Sequence, residues 1–157
     1  DDMGFSFGFV TSTSVDPITT DPADSVFFRK AKNAATVVGR VRANSGTAAD
    51  SSTLVTMADA TWYRFGIQFM FGNGSPTDYT TAATTAGSYC NFIVGTLNTT
   101  TGDWTYATTA ATSAQLTALI AIFNTTPAVF TGHIGTLANG TTSRSMYIAA
   151  LDFEVNR

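Results

Sequence analysis

The sequence predicts an all-β protein, an antiparallel β-sandwich carrying one short helix. Three observations predict it. Apolar residues alternate with a period of two, most clearly over Thr61–Phe71 (TWYRFGIQFMF), where Thr61, Tyr63, Phe65, Ile67, Phe69 and Phe71 share one parity and Trp62, Arg64, Gly66, Gln68 and Met70 the other. Gly, Pro, Asn and Asp punctuate the chain between such segments. A single stretch, Ser113–Phe123, shows helical spacing. Many short strands with one helix describe a sandwich, and 157 residues suit one domain over positions 1–157.

In chain order, the first strand is expected over Met3–Thr11, with Met3, Phe5, Phe7 and Phe9 alternating with Gly4, Ser6 and Gly8. Small residues between phenylalanines indicate a second face that is closely covered, as by another chain. Ser12–Pro22, with Pro17 and Pro22, reads as a loop. Ser25–Lys30 and Thr36–Ala43 form a predicted β-hairpin across Lys32-Asn33. Asn44-Ser45-Gly46 turns the chain into a short strand at Thr53–Met57, and Thr61–Phe71 follows as the long core strand with its Tyr63-Phe65-Ile67-Phe69 stripe buried. Five large side chains, these four and Phe71, at about 1.5–3 kcal/mol each would make this strand a major contributor to the core. Gly72–Ser88 reads as a long polar loop. Tyr89–Leu97 and Asp103–Thr109 make a second hairpin through Asn98–Gly102. In the helix, Leu116, Leu119, Ile120 and Phe123 share a face and Ser113 is the expected N-cap. Ala128–Ile134 and Arg144–Asn156 complete the strands.

The order DSVFFRK, TVVGRVRA, ATWYRFGIQF and a closing ALDFEVNR resembles the concanavalin A-like (lectin/glucanase) jelly-roll domains of bacteriophage virion proteins. The likeness covers most of Ser25–Phe71 and the last strand, Ala150–Arg157; Gly72–Ser88 stands as an insertion, and the Tyr89–Thr109 unit is longer than the family's hairpin. It implies a jelly roll lacking its N-terminal strands, with residues upstream of Asp1 removed or outside the sequence. It also implies a virion structural role, in capsid decoration, cementing or a fibre.

Composition narrows the function. The chain is 44% hydrophobic but only 12% charged, where about a quarter is usual. Threonine, alanine, serine, glycine and asparagine stand where Lys and Glu normally do, which suits packing against other protein copies or an extracellular setting. A net charge of -3 and no Lys/Arg cluster argue against a nucleic-acid partner. No apolar run approaches a membrane span. Cys90, the only cysteine, sits in YCNFIV and reads as a small buried hydrophobe.

Chemistry-bearing motifs are sparse. Asp152 and Glu154 share a parity two residues apart, as acid and nucleophile do in glucanases of this architecture, but those enzymes use a longer Glu-x-Asp-x-x-Glu pattern, and this chain has only one glutamate. A solvated strand face explains the pair more simply, and no enzyme is expected. His133 is the only histidine, so neither a triad with a spare partner nor a multi-histidine metal site can be assembled. Asp16, Asp21 and Asp24 match no calcium loop and read as a solvated turn. Asn-x-Ser/Thr sequons at Asn73, Asn98, Asn124 and Asn139 are expected by chance in so threonine-rich a chain. Nothing implies a cofactor. The candidate ligand or subunit contacts are Trp62, Arg64, Gln68, Tyr79, Trp104 and Tyr106. Trp62, Trp104 and Tyr106 could stack on sugars, but core or subunit contact is the commoner use of such residues. The expected role is therefore a non-enzymatic virion structural protein on the virion exterior. Its partners would be capsid or other virion subunits and copies of itself, with a trimer the expected assembly. The alternative is a carbohydrate-binding module for surface glycans in an extracellular setting.

Overall fold

The computed structural model describes residues 4–10, 20–72, 84–124 and 131–137. Within them the chain is an all-β sandwich of two antiparallel sheets with one short helix. The larger sheet holds β1 (Gly4–Val10), β2 (Ser25–Lys30), β3 (Thr36–Arg42), β4 (Ala49–Asp50), β5 (Val55–Thr56) and β9 (Thr131–Leu137). Its order is β4-β3-β2-β1-β9, with β5 also pairing β3. The smaller sheet holds β6 (Tyr63–Gly72), β7 (Thr84–Leu97) and β8 (Trp104–Ala110) in the order β6-β7-β8. The helix α1 spans Ser113–Asn124 between β8 and β9.

The first hairpin forms as its alternation predicts, with Val26 opposite Val41 and Phe28 opposite Gly39. Asn33 takes φ 63° in its turn. Asn44 and Ser45 both take positive φ, the geometry of a primed turn, which Gly46 closes by donating its N–H to the Ala43 carbonyl at 2.8 Å. The expected strand over Thr53–Met57 shortens to β5, which pairs with Thr36 and Val37, while β4 pairs with Arg40 and Val41 of the same strand.

The core lies between the sheets. Phe5, Val26, Phe28, Val37 and Val41 face Cys90, Phe92 and Val94, with Leu119 and Ile122 of α1 closing one side. Ring pairs cross the gap, Phe28 to Phe92 at 5.5 Å and Phe7 to Phe65 at 5.1 Å between centroids. Gly39 is required at its place, since a β-carbon there would fall 2.6 Å from the Phe92 ring. The second face of β1 is covered within the chain itself, where Gly4, Ser6 and Val10 are buried.

Several expectations need correction. The Tyr63-Phe65-Ile67-Phe69 stripe faces the core but is half-buried; β7, central in its sheet, carries the fully buried residues. The polar segment expected as loop to Ser88 joins β7 from Thr84, where Thr84 pairs with Gly72 across an irregularity and Gly72 N–H donates to Ser88 Oγ at 2.7 Å. The helix is capped by Thr112 rather than Ser113. Gln115 N–H donates to Thr112 Oγ1 at 3.2 Å, and Thr112 N–H donates to Gln115 Oε1 at 2.9 Å, a reciprocal capping box. Of the helical face expected, Leu119 and Ile120 are buried and Leu116 packs against the core, while the side chain of Phe123 lies outside those described; Gln115 and Ile122 are buried in addition. β9 runs to Leu137 because it pairs with β1 along its whole length, from Gly4 opposite Leu137 to Val10 opposite Thr131. The last predicted strand, with Asp152 and Glu154, lies outside the described residues.

Candidate functional site

Strand parity sends Arg64, Gln68 and Met70 of β6, Tyr89, Asn91 and Gly95 of β7, and Trp104, Tyr106 and Thr108 of β8 to the outer face of the small sheet. Register then decides which of them meet. Arg64 stands opposite Gly95, and Gly95 opposite Tyr106, so an arginine and a tyrosine flank a residue without a side chain. That glycine makes the arrangement possible, because a β-carbon on Gly95 would lie 2.7 Å from Tyr106 Cε1 and 3.3 Å from Trp104 Cε3. Both rings therefore lie down over the sheet, Trp104 and Tyr106 stacked at 6.4 Å and 27°. The Arg64 guanidinium carbon sits 4.1 Å from the Trp104 ring centroid, and its Nη1 donates to Tyr106 Oη at 3.0 Å.

Gln68 belongs to the same face but to a separate cluster, about 13 Å along the strand from Arg64. Its Oε1 accepts from Asn91 Nδ2 at 3.4 Å. Trp62 precedes β6, half exposed, and its carbonyl accepts the Leu97 N–H at 3.1 Å. Of the candidate contacts, Arg64, Trp104 and Tyr106 are brought together, Gln68 and Trp62 share their face, and Tyr79 lies outside the described residues. Sequence reasoning missed Gly95, Asn91, Tyr89 and Met70. The isolated glycine in FIVGTL was the available signal, since glycine within a strand marks a close approach. The strand residues of this face carry no carboxylate and no histidine. They can stack, donate and accept hydrogen bonds and present one cation.

The outer face of the large sheet is built differently. Arg29, Thr36, Val38, Arg40 and Asp50 line an open depression of about 350 Å³. Arg40 donates to Asp50 at 2.5 and 2.6 Å and to both Asp21 carboxylate oxygens at 2.9 Å. The bonds to Asp50, then those to Asp21, push the Arg40 pKa further above its ordinary value. Arg29 reaches Asp21 at 3.4 Å, and Arg42 donates to the carbonyls of Gly46, Ser45 and Asp21. Asp24 accepts the Asn44 N–H at 2.6 Å. Two of the three aspartates weighed as calcium ligands thus hold the fold together; Asp16 lies outside the described residues. Cys90 is buried as expected, and burial pushes its thiol up to about 12. His133 stands opposite Gly8 in the β1–β9 pairing. Asn98 Oδ1 accepts the Thr100 N–H at 2.9 Å and so shapes its own turn. Among the described residues no cluster could hold a metal ion, and no helix is long and apolar enough to cross a membrane.

Comparison of the chain with protein-family models, with curated proteins and with solved structures finds no match.

Proposed function

We propose that this chain is a non-enzymatic structural protein of a bacteriophage-type virion. It would lie on the virion exterior, decorating or cementing the capsid or contributing to a head or tail fibre. It would work by packing between protein subunits, including copies of itself. One observation carries the reading of a contact protein. Among the described residues the exposed large hydrophobic ones are Trp62 at 48%, Met70 at 49%, Tyr89 at 38% and Tyr106 at 53%; Met70, Tyr89 and Tyr106 take the outer side of the small sheet, and Trp62 precedes β6 on the same parity. They stand in two groups, Trp62 and Tyr106 toward the Arg64 end and Met70 beside Tyr89 about 20 Å along the strands. Exposed apolar residues on one side favour an interaction surface there, and Trp, Tyr, Met and Arg are the residue types enriched where proteins meet. The virion setting is supported by the resemblance of DSVFFRK, TVVGRVRA and ATWYRFGIQF to phage concanavalin A-like jelly rolls and by the low charge of the chain. The test is co-sedimentation of the purified chain with virion heads from its own source. Binding that is lost on Tyr106→Ala with Met70→Ser supports the reading; a chain without affinity for heads overturns it.

A second reading rests on the platform itself. Trp104 and Tyr106 offer stacked planes beside the Arg64 guanidinium, an arrangement suited to the apolar face and hydroxyls of a sugar ring. A glycan-array screen decides it: specific binders that disappear on Tyr106→Ala support a lectin-like module, and an array without binders removes it.

A further inference from the structure

We propose that β8 pairs edge to edge, antiparallel, with β8 of a second copy, joining two small sheets into one continuous six-stranded sheet. This names a partner for the sheet read above as a contact surface, and it rests on that reading. The hydrogen-bond pattern shows which backbone groups are open. The Asn98 N–H donates to the Asp103 carbonyl, and the Ala111 N–H to the Cys90 carbonyl, each at 2.8 Å. Residues 103 and 111 bracket β8 and both turn their backbone groups to β7, so in the uninterrupted register Thr105, Ala107 and Thr109 do the same. The N–H and C=O groups of Trp104, Tyr106, Thr108 and Ala110 therefore point away from β7, and they have no partner among the described residues.

The middle of the strand is also exposed on both faces. Tyr106 and Thr108 are exposed on the outer face, and Thr105 and Ala107 are exposed on the inner face. Edge strands are normally protected by a charge, a proline, a bulge or a covering segment. WTYATTA has no charge and no proline, and its pairing with β7 shows no bulge.

A second copy fits for reasons of symmetry and charge. With the two-fold axis at Ala107, Trp104 pairs with Ala110 and Tyr106 with Thr108 of the other copy. Every open group is then used, with two hydrogen bonds exchanged at each pair. Each large ring meets a small residue, and an uncharged edge meets itself without repulsion. Ala107 faces its own counterpart in a non-hydrogen-bonded pair, about 4.5 Å between α-carbons. Identical antiparallel edges close on two copies, so this edge builds a dimer and the trimer expected from sequence would need a different contact.

Sedimentation equilibrium of the full chain tests the proposal. The wild type is expected to dimerise. Ala107→Lys and Ala107→Glu each place like charges opposite one another and should weaken the dimer on the order of tenfold or more. An equimolar mixture of the two variants should restore it. Thr108→Pro removes a donor that β7 does not use and should also give a monomer; circular dichroism checks that each variant is folded, and the exposed Ala107 variants decide the matter if the proline disturbs the strand. A wild type that stays monomeric to about 100 μM overturns the proposal, as does a dimer indifferent to Ala107→Lys. Either result leaves head binding through the outer face standing, and a β8 dimer without head binding fails only the virion reading.

Discussion

The two outer faces of this sandwich use arginine in opposite ways. On the large sheet Arg29, Arg40 and Arg42 are tied to Asp21, Asp50 and backbone carbonyls, so the charges there are answered from within the chain. On the small sheet Arg64 meets no carboxylate in its described contacts; it lies over Trp104 and donates to Tyr106, which is itself exposed. The first arrangement pins the β2-β3-β4 corner and the segment at Asp21. The second pairs its cation with rings and leaves Tyr106 exposed. The two faces thus differ in what answers their arginines, carboxylates on one and aromatic rings on the other, over one shared core.

The division makes a graded set of expectations, of which the largest concerns the core both sheets share. Phe92 is fully buried on the central strand β7 and touches Phe28 from the other sheet. Phe92→Ala should cost about 3–5 kcal/mol in chemical denaturation, lost transfer energy together with a cavity. A much smaller loss would mean that the sheets are not held by this contact. Next comes Arg40, whose side chain is 17% exposed. Arg40→Ala removes hydrogen bonds to two carboxylates and should cost about 2 kcal/mol. If it were as mild as a surface substitution, the contrast between the faces would collapse.

The core can also be read through Cys90. Its thiol is raised from 9.0 to about 12 by burial. A raised folded-state value means that the contribution is intact below pH 9 and is lost as pH climbs toward 12, because the unfolded thiol ionises first. Stability should fall over that window with a slope of up to about 1.4 kcal/mol per pH unit from this group. Subtracting the same titration of Cys90→Ala isolates it from the tyrosines. Equal slopes for the two proteins would show that the site is wetter than its packing implies.

Elements governed by local pattern were legible, and those governed by pairing were not. SVFFRK carries its own alternation, and β2 has the bounds expected of it. The Tyr63–Phe69 stripe announced a strand equally clearly, yet its weight in the core was overestimated, because sheet order places β7 and not β6 at the centre. Gln115 shows the same limit. Its burial follows from bonds to the carbonyls of Gly39 and Ala49, 76 and 66 residues away, which no local window contains. The candidate contact face was half legible. Parity alone turned Arg64 and Gln68 outward together. That Trp104 and Tyr106 stand beside Arg64, and not beside Gln68, follows only from the register through Gly95.

The smallest expected effect is the most informative about function. An exposed cation over an aromatic ring contributes about 0.5–1 kcal/mol, so Arg64→Ala should lower stability by less than about 1 kcal/mol, well below the cost at Arg40. Gly95→Ala should act on the same feature from beneath, since its new methyl group must lift the Tyr106 ring off the sheet. If the platform exists to hold β8 in place, both substitutions will shift the unfolding midpoint in parallel with any loss of binding. If it exists for a partner, Arg64→Ala will leave the midpoint nearly unmoved while binding to heads or glycans falls. The double variant then separates the two roles, because a shared loss through the Tyr106 ring makes its effect on binding less than the sum of the single ones.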